Sequence, residues 1–239
     1  MPLSLRFDRL EPPVASVLCL GAHCDDLEIG CGGTVLALAD GPRPPSFTWV
    51  VFASDPTREA EAQRSAETFL RDARDVRVVI KKFRDGFLPY DGALVKETFE
   101  ELKGTLSPDL VLTHYRHDLH QDHRLISELT WNTFRDHLIL EYEIPKYDGD
   151  LGVPNFFVPL DESHCRRKLE AILGSFPSQA HRHWFSEDVF RSLLRLRGME
   201  CNAPGHYAEA FYCRKLVATG WSASAARPSS GDEPGLGRG

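Results

Sequence analysis

No apolar run in this chain approaches the roughly 20 residues that a membrane-spanning helix requires. No basic stripe stands out either: 28 Lys and Arg against 35 Asp and Glu leave a formal net charge of −7. That balance argues against a nucleic-acid or anionic-membrane partner and leaves a small molecule as the expected ligand. The opening "MPLSLRFDRLEPP" lacks the basic segment and apolar core of a signal peptide. None of the six cysteines (Cys19, Cys24, Cys31, Cys165, Cys201, Cys213) stands in a C-x-x-C pair. Inert thiols in a reducing, cytoplasmic setting follow. The turn after the first apolar run reads G-C-G-G-T, without a G-x-G-x-x-G register, which disfavours a nucleotide-binding or regulatory module.

What remains is substantial. The chain has 239 residues, 42% of them hydrophobic, enough for one large domain whose core needs no disulfides. Strand-like runs lie at 15–22, 46–54, 76–83, 109–115, 138–145 and 156–160. Helix-like segments lie at 31–40, 57–74, 93–106, 122–136, 161–176 and 186–198, the last with Ser186 as N-cap and Gly198 as stop. The alternation predicts an α/β, Rossmann-like fold, a mostly parallel sheet with helices on both faces. One domain is expected over 1–220. Residues 221–239, rich in small residues, Pro and Gly, are expected to be a disordered tail. A homo-oligomer is left open by the sequence.

Ligands of open α/β sheets bind at the carboxyl ends of strands, and two mixed His/Asp clusters fall there. "GAHCDDLEIGCGG" (21–33) follows the first strand, and "THYRHDLHQDHR" (113–124) closes the fourth. His23 and Asp26, three apart, can aim at one point. Imidazole with carboxylate is an ordinary set for a catalytic zinc, which takes three protein ligands and keeps a position for water. Asp25 could face that water. The third ligand has candidates in His114, His117, His120, His123, Asp118 and Asp122. Gly30, Gly32 and Gly33 would let the backbone approach closely and open the next helix. The alternative for Asp25 and Asp26 is simple helix capping; for Cys24 and Cys31, burial as small hydrophobes.

"AHCDDLEIGCGGT" resembles the A-H-P-D-D signature of the PIG-L/LmbE-like zinc N-deacetylases, and "HQDH" (120–123) resembles that family's H-x-D-H motif. Weaker echoes are "REAEAQRSAETF" (58–69), "DGFL" (85–88) and "YAEAF" (207–211), in the same order over residues 14–216. The resemblance implies a hydrolase that removes an N-acetyl group from an N-acetylated amino sugar such as N-acetylglucosamine, a glycoside or a sugar-containing natural product. It implies Zn2+ as cofactor, with Fe2+ as the other candidate. His23, Asp26 and His123 fall on the metal ligands, Asp25 on the general base, and His120 on the residue assisting the oxyanion. His120 is expected to be protonated and held by Asp122. Arg58 matches an arginine that contacts the sugar, while Asp85 and Glu209 are candidate substrate-binding residues. Cys24 stands where the family has Pro and is not expected to bind metal. Leu27 stands where Glu is usual, with Glu28 displaced by one. The alternative activity is an amidase acting on a larger acyl or peptide-like amide with the same metal chemistry.

Overall fold

A computed structural model describes residues 13–217; the expected tail, 221–239, lies outside the described residues. Five strands run β1 (Ser16–Gly21), β2 (Ser46–Ala53), β3 (Asp75–Phe83), β4 (Leu110–His114) and β5 (Leu138–Tyr142). Four helices alternate with them: α1 (Asp26–Ala39), α2 (Pro56–Phe69), α3 (Gly92–Thr105) and α4 (Gln121–Thr133). Then come β6 (Phe156–Leu160), α5 (Glu162–Ser175), α6 (Glu187–Glu200) and β7 (Tyr207–Cys213). The seven strands form one sheet in the order β3-β2-β1-β4-β5-β7-β6. The first five are parallel; β7 is antiparallel to both β5 and β6. The chain builds outward from β1 to β3, then returns to place β4 on the other side of β1. The gap between β1 and β4 is therefore the point at which the strand order reverses.

The period-two alternation of strand side chains divides the apolar runs between two cores. Val17, Cys19, Trp49, Leu112 and Tyr142 pack with α1, α2, α5 and α6 on one face. Leu18, Leu20, Phe52, Val111 and Ile139 pack with α3 and α4 on the other. Each fully buried large side chain contributes roughly 1.5–3 kcal/mol. Continuous hydrophobic strands are thus explained by cover on both faces, as predicted.

Three expectations change. Helix α1 begins at Asp26, not near residue 31, so Gly30, Gly32 and Gly33 lie inside it rather than opening it. They are there for close packing: a Cβ on Gly30 would lie 2.2 Å from the Tyr142 ring. Ser186 does cap α6 through Val189 N–H, but Gly198 does not stop that helix, which runs to Glu200. A Cβ on Gly198 would meet the His206 carbonyl at 2.1 Å, so contact with the next segment accounts for it. Finally, "YAEAFYC" forms a seventh strand, wedged between β5 and β6.

Candidate metal centre

The chain leaves β1 at Gly21 and enters α1 five residues later, which puts His23 and Asp26 in one tight turn above the strand end. Strand β4, paired directly with β1, ends on His114 and leads to α4, whose N-cap is His120. Adjacent parallel strands thereby bring the two distant clusters together. His23 Nδ1 lies 3.2 Å from His123 Nε2 and 3.3 Å from Asp26 Oδ2, and His123 Nε2 lies 3.5 Å from Asp26 Oδ1. The three residues predicted as ligands converge on one point.

Their supports come from further along the chain. The His123 Nδ1–H donates to Asp118 Oδ2 at 2.9 Å, which leaves Nε2 as the nitrogen facing the centre. Asp118 is held in turn by the Lys146 ammonium at 3.0 Å and by the His120 N–H, which donates to Oδ1 at 2.7 Å. His114, fully buried, stacks on His123 at 3.9 Å between ring centroids and places Nε2 3.1 Å from Asp26 Oδ2. His23 Nε2 points the other way, 3.2 Å from Asp122 Oδ2 and 3.1 Å from Asp85 Oδ1.

Charge states follow from these contacts. Burial and the neighbouring His114 push His123 down to about 3, so it is a neutral imidazole. Burial works against charge on His23, but Asp26, Asp122 and Asp85 outweigh it and hold its pKa well above the ordinary value. Burial would raise Asp26, yet His123, His114 and His23 hold it well below the usual carboxylate range. A carboxylate, a neutral imidazole with its lone pair inward, and a second imidazole surrounded by acids form a donor set that fits a divalent metal. Three overlapping sets, His23/His120/His123, Asp26/His114/His123 and His23/Asp85/Asp122, each include at least one of these residues.

Asp25 does not cap α1 with its side chain. Its Oδ1 pairs with Arg58 Nη2 at 3.0 Å. Burial raises the Asp25 pKa and the Arg58 guanidinium opposes the rise; the net shift is upward, toward a useful base. Arg58, predicted to touch substrate, is thus committed to Asp25 and to Glu61 Oε2 at 3.4 Å, although it also lines the cleft beside the centre.

Three expectations about the site are corrected. The Asp122 carboxylate does not hold the His120 side chain. It accepts from Gly86 N–H at 2.8 Å and Leu88 N–H at 3.2 Å and faces His23. Gly86 reaches it from a turn with φ of +77°, where a side chain would be strained. His120 is not favoured as a cation: burial, then the charge on His23, lower its pKa. Its Nδ1 accepts the Asp122 N–H at 3.3 Å, so Nε2 carries the proton and is the free donor. Glu209 does not reach the site. It is buried in β7, accepts from Gly33 N–H, Thr34 N–H and the Thr34 hydroxyl, and pairs with Lys168 at 2.6 Å. Cys24 directs its thiol to the Ala53 carbonyl at 3.4 Å, burial pushes the thiol up to about 12, and no candidate ligand set among the described residues includes it.

His114 and Asp118 were visible in sequence only as members of a histidine-rich stretch. Lys146 carried no signal, because the loop after β5 had to be seen folding back onto Asp118.

Fold and site together define a doubly wound α/β protein with a His/Asp metal centre at its switch point. Residues 18–134, which contain both clusters, match the family model described as PIG-L: GlcNAc-PI de-N-acetylase. The segment that carries both clusters is thus a PIG-L family domain. No curated protein is significantly similar in sequence. Among solved structures, the N,N'-diacetylchitobiose deacetylase from Pyrococcus horikoshii is 23% identical with a TM-score of 0.60, each chain covered over 82%. The zinc-inhibited form of teicoplanin deacetylase Orf2 is 14% identical with a TM-score of 0.65, over 83% of this chain and 97% of that one. GalB, the 4-carboxy-2-hydroxymuconate hydratase of Pseudomonas putida KT2440, is 16% identical with a TM-score of 0.69, over 86% and 98%. At such identities the likeness concerns the fold. Among the described residues no helix is long and apolar enough to cross a membrane.

Proposed function

We propose that this protein is a metal-dependent hydrolase that removes an N-acetyl group from an amino sugar, a glycoside or a sugar-containing natural product, with zinc as the metal. The observation that carries the proposal is the convergence of His23, Asp26 and His123 at the switch point, with Asp25 and His120 beside them. The family match and the deacetylase names among the structural neighbours support it. A divalent metal held by the three ligands supplies Lewis-acid polarisation and makes water easier to deprotonate.

The chain's own groups do the rest. Asp25, desolvated but paired with Arg58, accepts a proton from the attacking water. The water oxygen bonds to the acetyl carbon; as the C–N bond breaks, the leaving nitrogen takes up the proton that Asp25 received, and the products are acetate and a free amine. His120 donates its Nε2–H toward the developing oxyanion as a neutral imidazole. One such donor is worth roughly 3–4 kcal/mol of barrier in comparable sites. Asp122 fixes His23 and ties the turn at Gly86 to α4. The unpaired thiols suit a reducing, cytoplasmic setting.

The test compares Asp25→Asn, Asp26→Asn and His120→Ala by metal content and by acetate release across N-acetylated sugars and glycosides. Asp25→Asn and His120→Ala should keep the metal, with Asp25→Asn slowing turnover by about 10²–10⁴-fold, the range for a general base. Asp26→Asn should lose metal. If Asp25→Asn loses metal while Asp26→Asn retains it, the two carboxylates have exchanged roles.

A further inference from the structure

The loop between β5 and β6, residues 143–155, is anchored near both of its ends. Arg197 donates to Glu143 through Nε and Nη2, each at 2.7 Å, and to the Gly152 carbonyl at 3.3 Å. The Gly152 N–H donates to the Tyr212 hydroxyl at 3.0 Å, and the Tyr212 ring stacks on Tyr115 at 3.7 Å between centroids. Between these anchors Gly149, with φ of +62°, turns the chain so that Asp150 returns to Lys146, four residues earlier. The Lys146 ammonium thereby joins two carboxylates, Asp150 and, at 3.0 Å, Asp118.

Those two carboxylates hold consecutive amides. Asp150 Oδ2 accepts the Leu119 N–H at 2.7 Å, and Asp118 Oδ1 accepts the His120 N–H at 2.7 Å. Side-chain packing does little for this stretch, because His117 and Leu119 are both exposed. Arg124 ties the Asp118 and Leu119 carbonyls, but from within α4 itself. The loop supplies the tie to a separate part of the fold. At the end of the stretch the His120 ring lies 4.9 Å from that of His23 and 4.5 Å from that of His123, between centroids.

We propose that Lys146 and Asp150 are positioning residues: they latch the backbone before α4 and so aim the His120 ring at the reacting carbonyl. The inference rests on the deacetylase reading for what His120 does there, and adds which residues place it. An oxyanion donor must meet a charge that exists only in the transition state, and a displacement of about 1 Å is worth about 10²-fold in rate. Loss of Asp150 leaves the Leu119 N–H without its acceptor. Loss of Lys146 leaves two carboxylates, with side chains 2% and 6% exposed, without the cation between them. Either change frees the same backbone.

The experiment uses the full-length, metal-loaded protein, with Asp150→Ala, Asp150→Asn and Lys146→Met placed in the wild-type and His120→Ala backgrounds. Metal content is measured on each. NMR follows amide hydrogen exchange at Leu119 and His120, and acetate release from N-acetylglucosamine and its methyl glycoside gives kcat and KM. Asp150→Ala and Lys146→Met should keep stoichiometric metal and speed exchange at both amides by about tenfold or more. They should lower kcat by about 10- to 100-fold with KM within about twofold, the mark of an interaction made in the transition state. Asp150→Asn, which keeps an acceptor oxygen and the shape of the side chain, should fall between. In the His120→Ala background the same substitutions should leave kcat within about twofold, because the group they aim is gone. A merely structural role would carry its full cost into that background and would overturn the proposal. Unchanged exchange, or loss of metal from Asp150→Ala, would overturn it too. If the wild-type protein releases no acetate, the deacetylase reading falls, and exchange alone decides the latch: faster exchange in both variants keeps it, and unchanged exchange removes it.

Discussion

Replacing Asp118 with Asn tests whether the centre depends on a residue that touches no substrate. In the folded protein Asp118 is 2% exposed, and its two oxygens serve three donors. Oδ2 accepts from His123 Nδ1–H at 2.9 Å and from Lys146 at 3.0 Å, while Oδ1 accepts from His120 N–H at 2.7 Å. An amide has one acceptor oxygen. If that oxygen faces His120 N–H, the new NH₂ faces an ammonium and an imidazole N–H. His123 can then relieve the clash only by moving its proton to Nε2, the nitrogen that must ligate. If the amide flips, the NH₂ faces the His120 amide instead. Either way a buried donor is left without an acceptor, at a cost of about 1–3 kcal/mol. Comparable losses of a carboxylate behind a ligating histidine lower metal affinity about 10- to 100-fold, in line with that energy. Competition against a calibrated chelator measures the dissociation constant, and circular dichroism verifies folding. A folded Asp118→Asn protein that binds zinc within about twofold of wild type, against the tenfold minimum argued here, would refute the reasoning.

Cys24→Ser should keep stoichiometric metal and most of the activity, because the thiol is neutral and spent on the Ala53 carbonyl; metal analysis showing a large loss would make the thiolate a ligand after all. Glu28, fully buried with no hydrogen-bond partner for its carboxyl among the described residues, has that carboxyl pushed from 4.5 to about 8 by burial. The folded state therefore keeps a proton that the unfolded chain releases, so stability falls as pH rises through that window. Glu28→Gln has no such proton, and its stability relative to wild type should gain about 3 kcal/mol between about pH 5 and about pH 8. Urea unfolding of metal-free protein at the two pH values decides this, and an unchanged gap would show that Glu28 is ionised in the fold.

Much of the fold was legible because strands covered on both faces read as plain apolar runs, and six of seven were found. The exception is instructive. "YAEAFYC" carries Glu209 as its third residue, one that a local pattern assigns to solvent or to a site. Here the glutamate is satisfied by α1 amides and Lys168, partners 176, 175 and 41 residues away that no local pattern contains. The centre was legible for a similar reason in reverse. Its ligands sit in two short contiguous stretches that lead into α1 and α4, so the sequence itself displays them as clusters. Hidden were the contacts that cross between loops: Arg58 on Asp25, Lys146 on Asp118, and Asp122 on His23 rather than on its neighbour His120. Proximity in sequence suggested the last pairing; the tight cap at the start of α4 prevents it, because the Asp122 carboxylate points to the turn at Gly86.

The balance of charge around the centre leads to a last expectation. Asp25 and Asp118 each have a permanent cation, Arg58 and Lys146. Asp26, Asp85 and Asp122 share His23, at 3.3, 3.1 and 3.2 Å. Those three carboxylates hold the His23 pKa well above its ordinary value, so the ring carries a proton near neutral pH. A nitrogen that bears a proton cannot ligate, and metal must displace it. His123, pushed down to about 3, has none to give up. Metal binding near neutral pH should therefore release about one proton per site, assigned to His23. Calorimetric titration of metal-free protein with zinc, repeated in buffers of different ionisation enthalpy, counts the proton. The count should rise as pH is lowered below neutrality only if a second group, His123 or Asp25, begins to bind one. A release near zero at neutral pH would mean that His23 is already neutral, and that the three carboxylates do not act on it together as the distances imply.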